Sequence, residues 1–329
     1  MNSETDIFLS ANAPGGDYGK IDEADLARRL GLPLEDVQAV TNVYPLPVVG
    51  FRRLQEEERG AFYKTIVDYL TVMDRTEGVQ TTPGNWQSEW GRVLDRVLAE
   101  GPSVETLRPD YFHYKTLRLD GEYAFTDDPL FEHHAYIAIL RLLFATYLPK
   151  AERVIDLGCG TGTSLYLLNQ LGPGRELIGG DWVPESQETV NAIGAATGEN
   201  IRGVHFNMQT LDGADALPLK GAAVTTLHAM EQLGTAHQPL LDLLMAHSPT
   251  LVLHLEPVEE FYDPDNLFDQ MALTHHRQRE YLSGYLTRLR QLASDGRIEL
   301  LAERRLYLGS TWHEAYSLIV WRPVSSLKT

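Results

Sequence analysis

Val154-Ile155-Asp156-Leu157-Gly158-Cys159-Gly160-Thr161-Gly162-Thr163 is the stretch whose reading decides the fold. A short apolar strand, 153–157, runs into glycines at alternate positions and then into a helix-forming segment, 163–171. Glycine permits a tight turn and lets a ligand approach the backbone closely. The spacing is G-x-G-x-G, not the G-x-G-x-x-G of dinucleotide-binding loops, and Asp156 stands just before it. A helix N-terminus offers backbone N–H groups to a carboxylate, and a neighbouring acid can meet an ammonium. Asp156, Gly158, Gly160 and Gly162 therefore suit a zwitterion better than a pyrophosphate.

Working outward, apolar runs at 176–180, 203–206, 222–227 and 250–255 read as strands. Helical patterns at 132–147, 163–171, 185–196, 238–246 and 267–293 alternate with them. Two last strands, 298–308 and 312–321, are joined near Gly309 and should be antiparallel. This alternation predicts an α/β fold: a doubly wound, mostly parallel seven-stranded sheet with an antiparallel C-terminal hairpin, over 131–329. Ligands of such sheets sit at the carboxyl ends of the strands. Residues 1–130 read as a mainly helical cap, with a leader at 1–20 and helices in 22–40, 56–73 and 86–99. Asp22 caps the first helix, Gly31 ends it, and 111–125 reads as a hairpin turning at Asp120-Gly121.

The chain has 329 residues, 43% hydrophobic and 22% charged, enough for one elaborated domain or two. Its net charge of −18 repels phosphate backbones and anionic lipids, so no nucleic-acid or membrane partner is expected. The string ADLARRLGLPLEDV has the look of a helix-turn-helix fragment, but with this charge it reads as a packing or dimerisation element, and a homodimer is the expected assembly. A single cysteine, Cys159, excludes an intrachain disulfide and a Cys-based zinc site, and fits a reducing cytoplasm. Within the glycine loop it reads as a packing residue. The polar opening, 1–14, does not read as a signal peptide. The apolar run at 136–148 is interrupted by Arg141 and reads as a buried helix. No H-x-x-x-H or H-E-x-x-H pattern occurs, so no metal is expected.

A second acid ends the next strand, Asp181, placed to accept both hydroxyls of a ribose. Trp182 beside it offers a flat face to a base. The third strand ends in Asn207-Met208. Over 131–323 this arrangement resembles the class I S-adenosylmethionine-dependent methyltransferases. The resemblance implies S-adenosyl-L-methionine as cofactor: the Asp156 loop for its methionine part, Asp181 with Trp182 for ribose and base, and Asn207 with Met208 at the adenine edge. Asn207 departs from the family, which often has Asp there. The turn carrying His228 and Glu231 would border the methionine part or the active site.

Methyl transfer needs an oriented acceptor and, for a hydroxyl or ammonium, a proton acceptor. His254 and Glu256 share a face of the fifth parallel strand, where buried polar groups are costly unless used; with His228 they are the catalytic candidates. Tyr114 in the cap, and His275 and Tyr281 downstream, are the acceptor candidates; the loop 309–314 is a weaker one. The expected function is methyl transfer to a small molecule. The alternatives are a cyclase making azetidine-2-carboxylate and methylthioadenosine from S-adenosylmethionine, a non-catalytic ligand-binding subunit, and a nicotinamide-dependent oxidoreductase, which the loop spacing disfavours.

Overall fold

The computed structural model describes residues 19–47, 50–72 and 83–324. Its larger sheet is built from β5 (Arg153–Leu157), β6 (Glu176–Asp181), β7 (Ile201–His205), β8 (Ala223–Leu227), β9 (Leu251–Glu256), β10 (Ile298–Arg305) and β12 (Ser317–Pro323). The spatial order is β10-β12-β9-β8-β5-β6-β7. Strands β5 to β9 pair in parallel, whereas β12 runs antiparallel to both β9 and β10. From β5 the chain winds outward through β6 and β7, then returns to β8 on the other side of β5. That reversal opens a crevice at the carboxyl ends of β5 and β8. The doubly wound, mostly parallel seven-stranded sheet with its antiparallel C-terminal hairpin is thus as the sequence predicts.

The parallel strands β5, β6, β8 and β9 are buried on both faces, which is why they read as apolar runs rather than alternations, whereas the edge strand β7 is only partly covered. On one face lie α5 (Phe131–Tyr147) and α6 (Thr163–Leu171), with Leu140, Phe144 and Leu168 in a shared core. On the other lie α8 (Gln238–His247) and α10 (Tyr285–Ser294), with Leu241, Leu244 and Leu289 in a second core. α7 (Pro184–Thr197) flanks β6 and β7. Among the described residues, no helix is long and apolar enough to cross a membrane.

The N-terminal region carries α1 (Glu23–Leu30), α2 (Leu34–Thr41), α3 (Glu56–Val72) and α4 (Pro83–Glu100). The Asp22 side chain accepts from Asp25 N, and Gly31 closes α1 at φ 65°, as expected for this cap pair. The same region builds a small antiparallel sheet from β1 (Gly19–Lys20), β2 (Gly50–Arg53), β3 (Thr116–Leu119) and β4 (Glu122–Phe125). Asp120 and Gly121 turn the β3–β4 hairpin with φ of 54° and 79°. A fifth strand, β11 (Leu308–Gly309), arrives from the far end of the chain and pairs Leu308 with Leu119 and Gly309 with Arg118.

Several expected elements differ. The long helix expected over 267–293 is two helices, α9 (Leu267–Arg279) and α10. Glu280 adopts a left-handed conformation (φ 52°) at the end of α9, and Gly284 another (φ 78°) at the start of α10. The strand expected over 298–308 ends at Arg305, because Tyr307 turns with φ 52° and sends β11 into the small sheet. The strand expected from 312 begins only at Ser317, which frees 310–316 to enter the site described next.

Candidate active site

The glycine loop is pinned to its neighbours through the backbone. Gly158 N donates to Gly180 O at 2.7 Å, and Gly162, at φ 73°, opens α6. Gly158 has no alternative at its position: its φ is 72°, and a Cβ would lie 2.5 Å from the Ala229 Cβ. Asp156 is buried, with Oδ1 accepting from the Thr225 hydroxyl at 2.7 Å and Oδ2 from Ser164. Burial pushes its carboxyl up to about 6. Both oxygens are thus engaged by hydroxyls of β8 and α6, so its first task is to hold the loop, although it also borders a cavity. Cys159 is a buried free thiol, pushed up by burial and inert as a nucleophile.

Asp181 closes β6. Its Oδ2 accepts from Gly160 N at 2.9 Å and its Oδ1 from Val183 N at 3.0 Å, while burial raises its carboxyl. With Trp182, Asn207 and Met208 it lines a cavity of about 310 Å³ at the carboxyl ends of β5 to β8. Asn207 departs from expectation in its chemistry. Its amide oxygen already accepts from Gln209 N (2.9 Å) and Thr210 N (3.2 Å). The group left for a ligand is the amide nitrogen, a donor, which suits a ring nitrogen of a base better than its exocyclic amine.

A second cavity, of about 450 Å³, lies beside the first. Tyr114, His275 and Tyr281, the acceptor candidates from distant parts of the sequence, all line it; Glu231, read from the sequence as a cofactor-binding residue, lines this cavity and not the first. Glu231 accepts from the Gln232 amide at 3.0 Å, and burial together with nearby Glu256 pushes it up to about 8. Sequence reading missed Glu132 and His133 here, and undervalued His313. Glu132 accepts from the Tyr316 hydroxyl at 3.1 Å and is pushed up to about 7 by burial. Among the described residues, His133 Nε2 and His275 Nδ1 are buried without a hydrogen-bond partner. Burial drives both imidazoles down, His133 to about 3, so they are neutral. The described residues contain no group of His, Cys, Asp and Glu that could hold a metal.

Trp86 and Trp90 on α4, with Gly158, Gly160 and His228, line both cavities. His228 follows β8 in a left-handed conformation (φ 57°), its N–H donating to Leu255 O at 3.1 Å. Its ring meets those of Tyr136 and Tyr316 edge to face, with centroids 5.5 and 4.9 Å away. Burial lowers it to about 4, and Nε2 has no partner among the described residues. The tryptophans are four residues apart on one helical face, a sequence signal for a shared surface.

The two β9 candidates lie elsewhere. His254 is fully buried away from both cavities. The Trp321 indole donates to its Nε2 at 2.9 Å, so the proton sits on Nδ1, 2.8 Å from the Thr226 hydroxyl. The Tyr285 hydroxyl is 2.8 Å from the same Nε2, and burial holds the ring neutral, at about 3. Glu256 lines neither cavity: Oε1 accepts from Ala229 N and Met230 N, both at 3.1 Å, and burial pushes the carboxyl up to about 7. It fixes the turn that carries His228 and Glu231.

The far wall of the second cavity is braced by a buried ionic network. Arg305 donates to both oxygens of Asp269 (2.7 and 2.6 Å) and of Glu314 (2.5 and 3.0 Å). Arg118 of β3, fully buried, donates to Phe268 O at 2.8 Å with its guanidinium 3.4 Å from the Phe268 ring centroid. Small sheet, α9 and the 310–316 segment are held together there.

No family model and no curated protein matches the sequence. Among solved structures, the chain is similar to the methyltransferase domain of bacterial CtHen1-C, at 17% identity over 57% of this chain and 96% of that one, with a TM-score of 0.41. It is similar to the pyocyanin biosynthetic protein PhzM at 12% identity, over 59% of this chain and 57% of that one, with a TM-score of 0.43. A third similar structure is the PH0226 protein from Pyrococcus horikoshii OT3, at 14% identity, 63% and 95% coverage and a TM-score of 0.40. The fold assignment stands on the strand order and register of the chain itself.

Proposed function

We propose that the protein binds S-adenosyl-L-methionine in the first cavity and transfers its methyl group to a small-molecule acceptor in the second. The observation that carries this reading is that the two cavities share one wall, formed by Gly158, Gly160 and His228 with the two tryptophans. The first cavity fits a nucleoside: a carboxylate at the end of β6, an indole beside it and an amide donor after β7. Asp181 would accept the ribose hydroxyls, Trp182 would flank the base, and the glycine loop with Gly162 at the head of α6 would face the methionine part.

When bound, the cofactor supplies an electrophilic methyl carbon on a positively charged sulfur. The chain's own contribution is to orient the acceptor and to take its proton. His228 Nε2 is neutral, lacks a partner among the described residues and stands where both cavities meet, so it is the group assigned to receive that proton. Tyr114, His275, Tyr281 and Glu231 form the acceptor's surroundings, and the rings of the first three exclude water. A cyclase acting on S-adenosylmethionine alone has no use for the second cavity.

The test is mass spectrometry of the products formed from S-adenosylmethionine with and without a panel of small aromatic and amine acceptors. The expected result is S-adenosylhomocysteine that appears only with an acceptor. Enzyme-dependent methylthioadenosine without any acceptor would replace this reading with the cyclase. Calorimetric binding of NADH, with none of S-adenosylmethionine, would remove the cofactor assignment.

A further inference from the structure

A group passing from the first cavity to the second must cross the boundary that Trp86, Trp90, Gly158, Gly160 and His228 define. Bare glycine backbone and an imidazole form part of that boundary. The rest is a pair of stacked indoles, ring centroids 5.2 Å apart and planes 23° from parallel. Trp90 lies directly against the glycine loop: a Cβ built on Gly160 would sit 3.3 Å from Trp90 Cζ2. The pair is held firmly, because α4 packs along α7, with Val93 and Val97 in the same core as Val190 and Ile193.

An indole face carries excess negative charge density. It attracts a cation, most strongly where water is excluded, and gives a neutral sulfur only dispersion contact. We infer that the Trp86–Trp90 pair recognises the positive charge on the sulfonium, so that the site retains the charged methyl donor and releases the neutral thioether product. The inference rests on the cofactor reading above and adds to it the residues that tell donor from product. Transfer breaks the carbon–sulfur bond, and the bonding electron pair stays on sulfur, which becomes uncharged. The indole contact therefore weakens as the reaction proceeds. Its benefit lies in selecting the donor and expelling the product, not in accelerating the chemical step.

The experiment is calorimetry of the full chain with S-adenosylmethionine and, separately, S-adenosylhomocysteine, for the parent protein and for Trp86→Leu, Trp90→Leu and Trp90→Phe. Both leucine variants should lower the ratio of donor to product affinity on the order of tenfold, chiefly through weaker donor binding. Trp90→Phe keeps a ring and should recover part of the ratio. Trp86 is only half-buried, so its variant carries the test if Trp90→Leu does not fold. Equal weakening of both ligands, or an unchanged ratio, overturns the inference and leaves the indoles as apolar wall. A parent protein that binds neither ligand overturns the cofactor reading itself, an outcome distinct from any change in the ratio.

Discussion

Gly160 donates its backbone N–H to Asp181 Oδ2 at 2.9 Å, which makes the glycine loop and the carboxylate at the end of β6 a single rigid unit. Each Asp181 oxygen accepts a backbone N–H, and in the proposed complex its carboxylate would also accept the ribose hydroxyls. Asp181→Ala should weaken S-adenosylmethionine binding by about 1.5–3 kcal/mol, because charge-assisted bonds to the ribose are lost. It should also lower the melting temperature, since two backbone donors lose their acceptor. Calorimetry and thermal unfolding read the two effects separately; unchanged affinity would place the ribose elsewhere.

His228→Asn keeps the left-handed backbone, which asparagine tolerates, and removes the basic ring nitrogen. Turnover should fall by about 10²–10⁴, the usual contribution of a positioned proton acceptor, while cofactor affinity stays within a few-fold. Steady-state kinetics with an identified acceptor checks this. Full turnover would return His228 to the wall of the cavity.

Glu256 gives a pH signature. Burial raises its carboxyl from 4.5 to about 7 in the folded protein. Between those values the folded state keeps a proton that the unfolded chain has released, so stability declines as pH rises through this window. The penalty is complete above about 7 and absent below about 4.5. Glu256→Gln still accepts from Ala229 N and Met230 N but cannot ionise. It should melt above the parent protein at about pH 8 and with it at about pH 4, in thermal scans. An identical pH dependence for both would remove Glu256 as the titrating group.

Arg305→Leu strands Asp269 and Glu314, whose side chains are 6% and 1% exposed. Removing one partner of such a buried network should destabilise the protein by about 3–5 kcal/mol, measured by urea unfolding. A loss below about 1 kcal/mol would mean that water reaches the carboxylates in place of the arginine.

The parallel sheet was legible because its signals are local: a buried strand is an apolar run, and glycines in the loop after β5 mark where backbone must bend. The break at Glu280 was not, since a charged residue in a left-handed conformation looks like any helical glutamate until Ser283 N finds Gly234 O across the fold. His254 and Glu256 shared a strand face with the site in sequence. The difference between a cavity wall and a packed interior was set by Trp321 and Tyr285, residues far away in the chain. The oxygen of Asn207 was claimed by its own turn, a competition that the residue type alone does not announce. Trp86 and Trp90 had the spacing of a shared face, but nothing in the sequence said which face would meet the glycine loop.

The pairing of β11 with β3 has a consequence for synthesis. Residues of the small sheet up to Phe125 leave the ribosome early, but the partner of Leu119 is Leu308. At roughly 5–20 residues per second, on the order of ten seconds or more separates the two. During that interval the edge of β3 is open to other chains, and Arg118 lacks the Phe268 carbonyl that it meets in the finished molecule. The earlier strands of the small sheet are completed by a much later one. A ribosome stalled after the parallel strands would carry an N-terminal half with its strand edge uncovered, a substrate for chaperones or proteases rather than a folded domain.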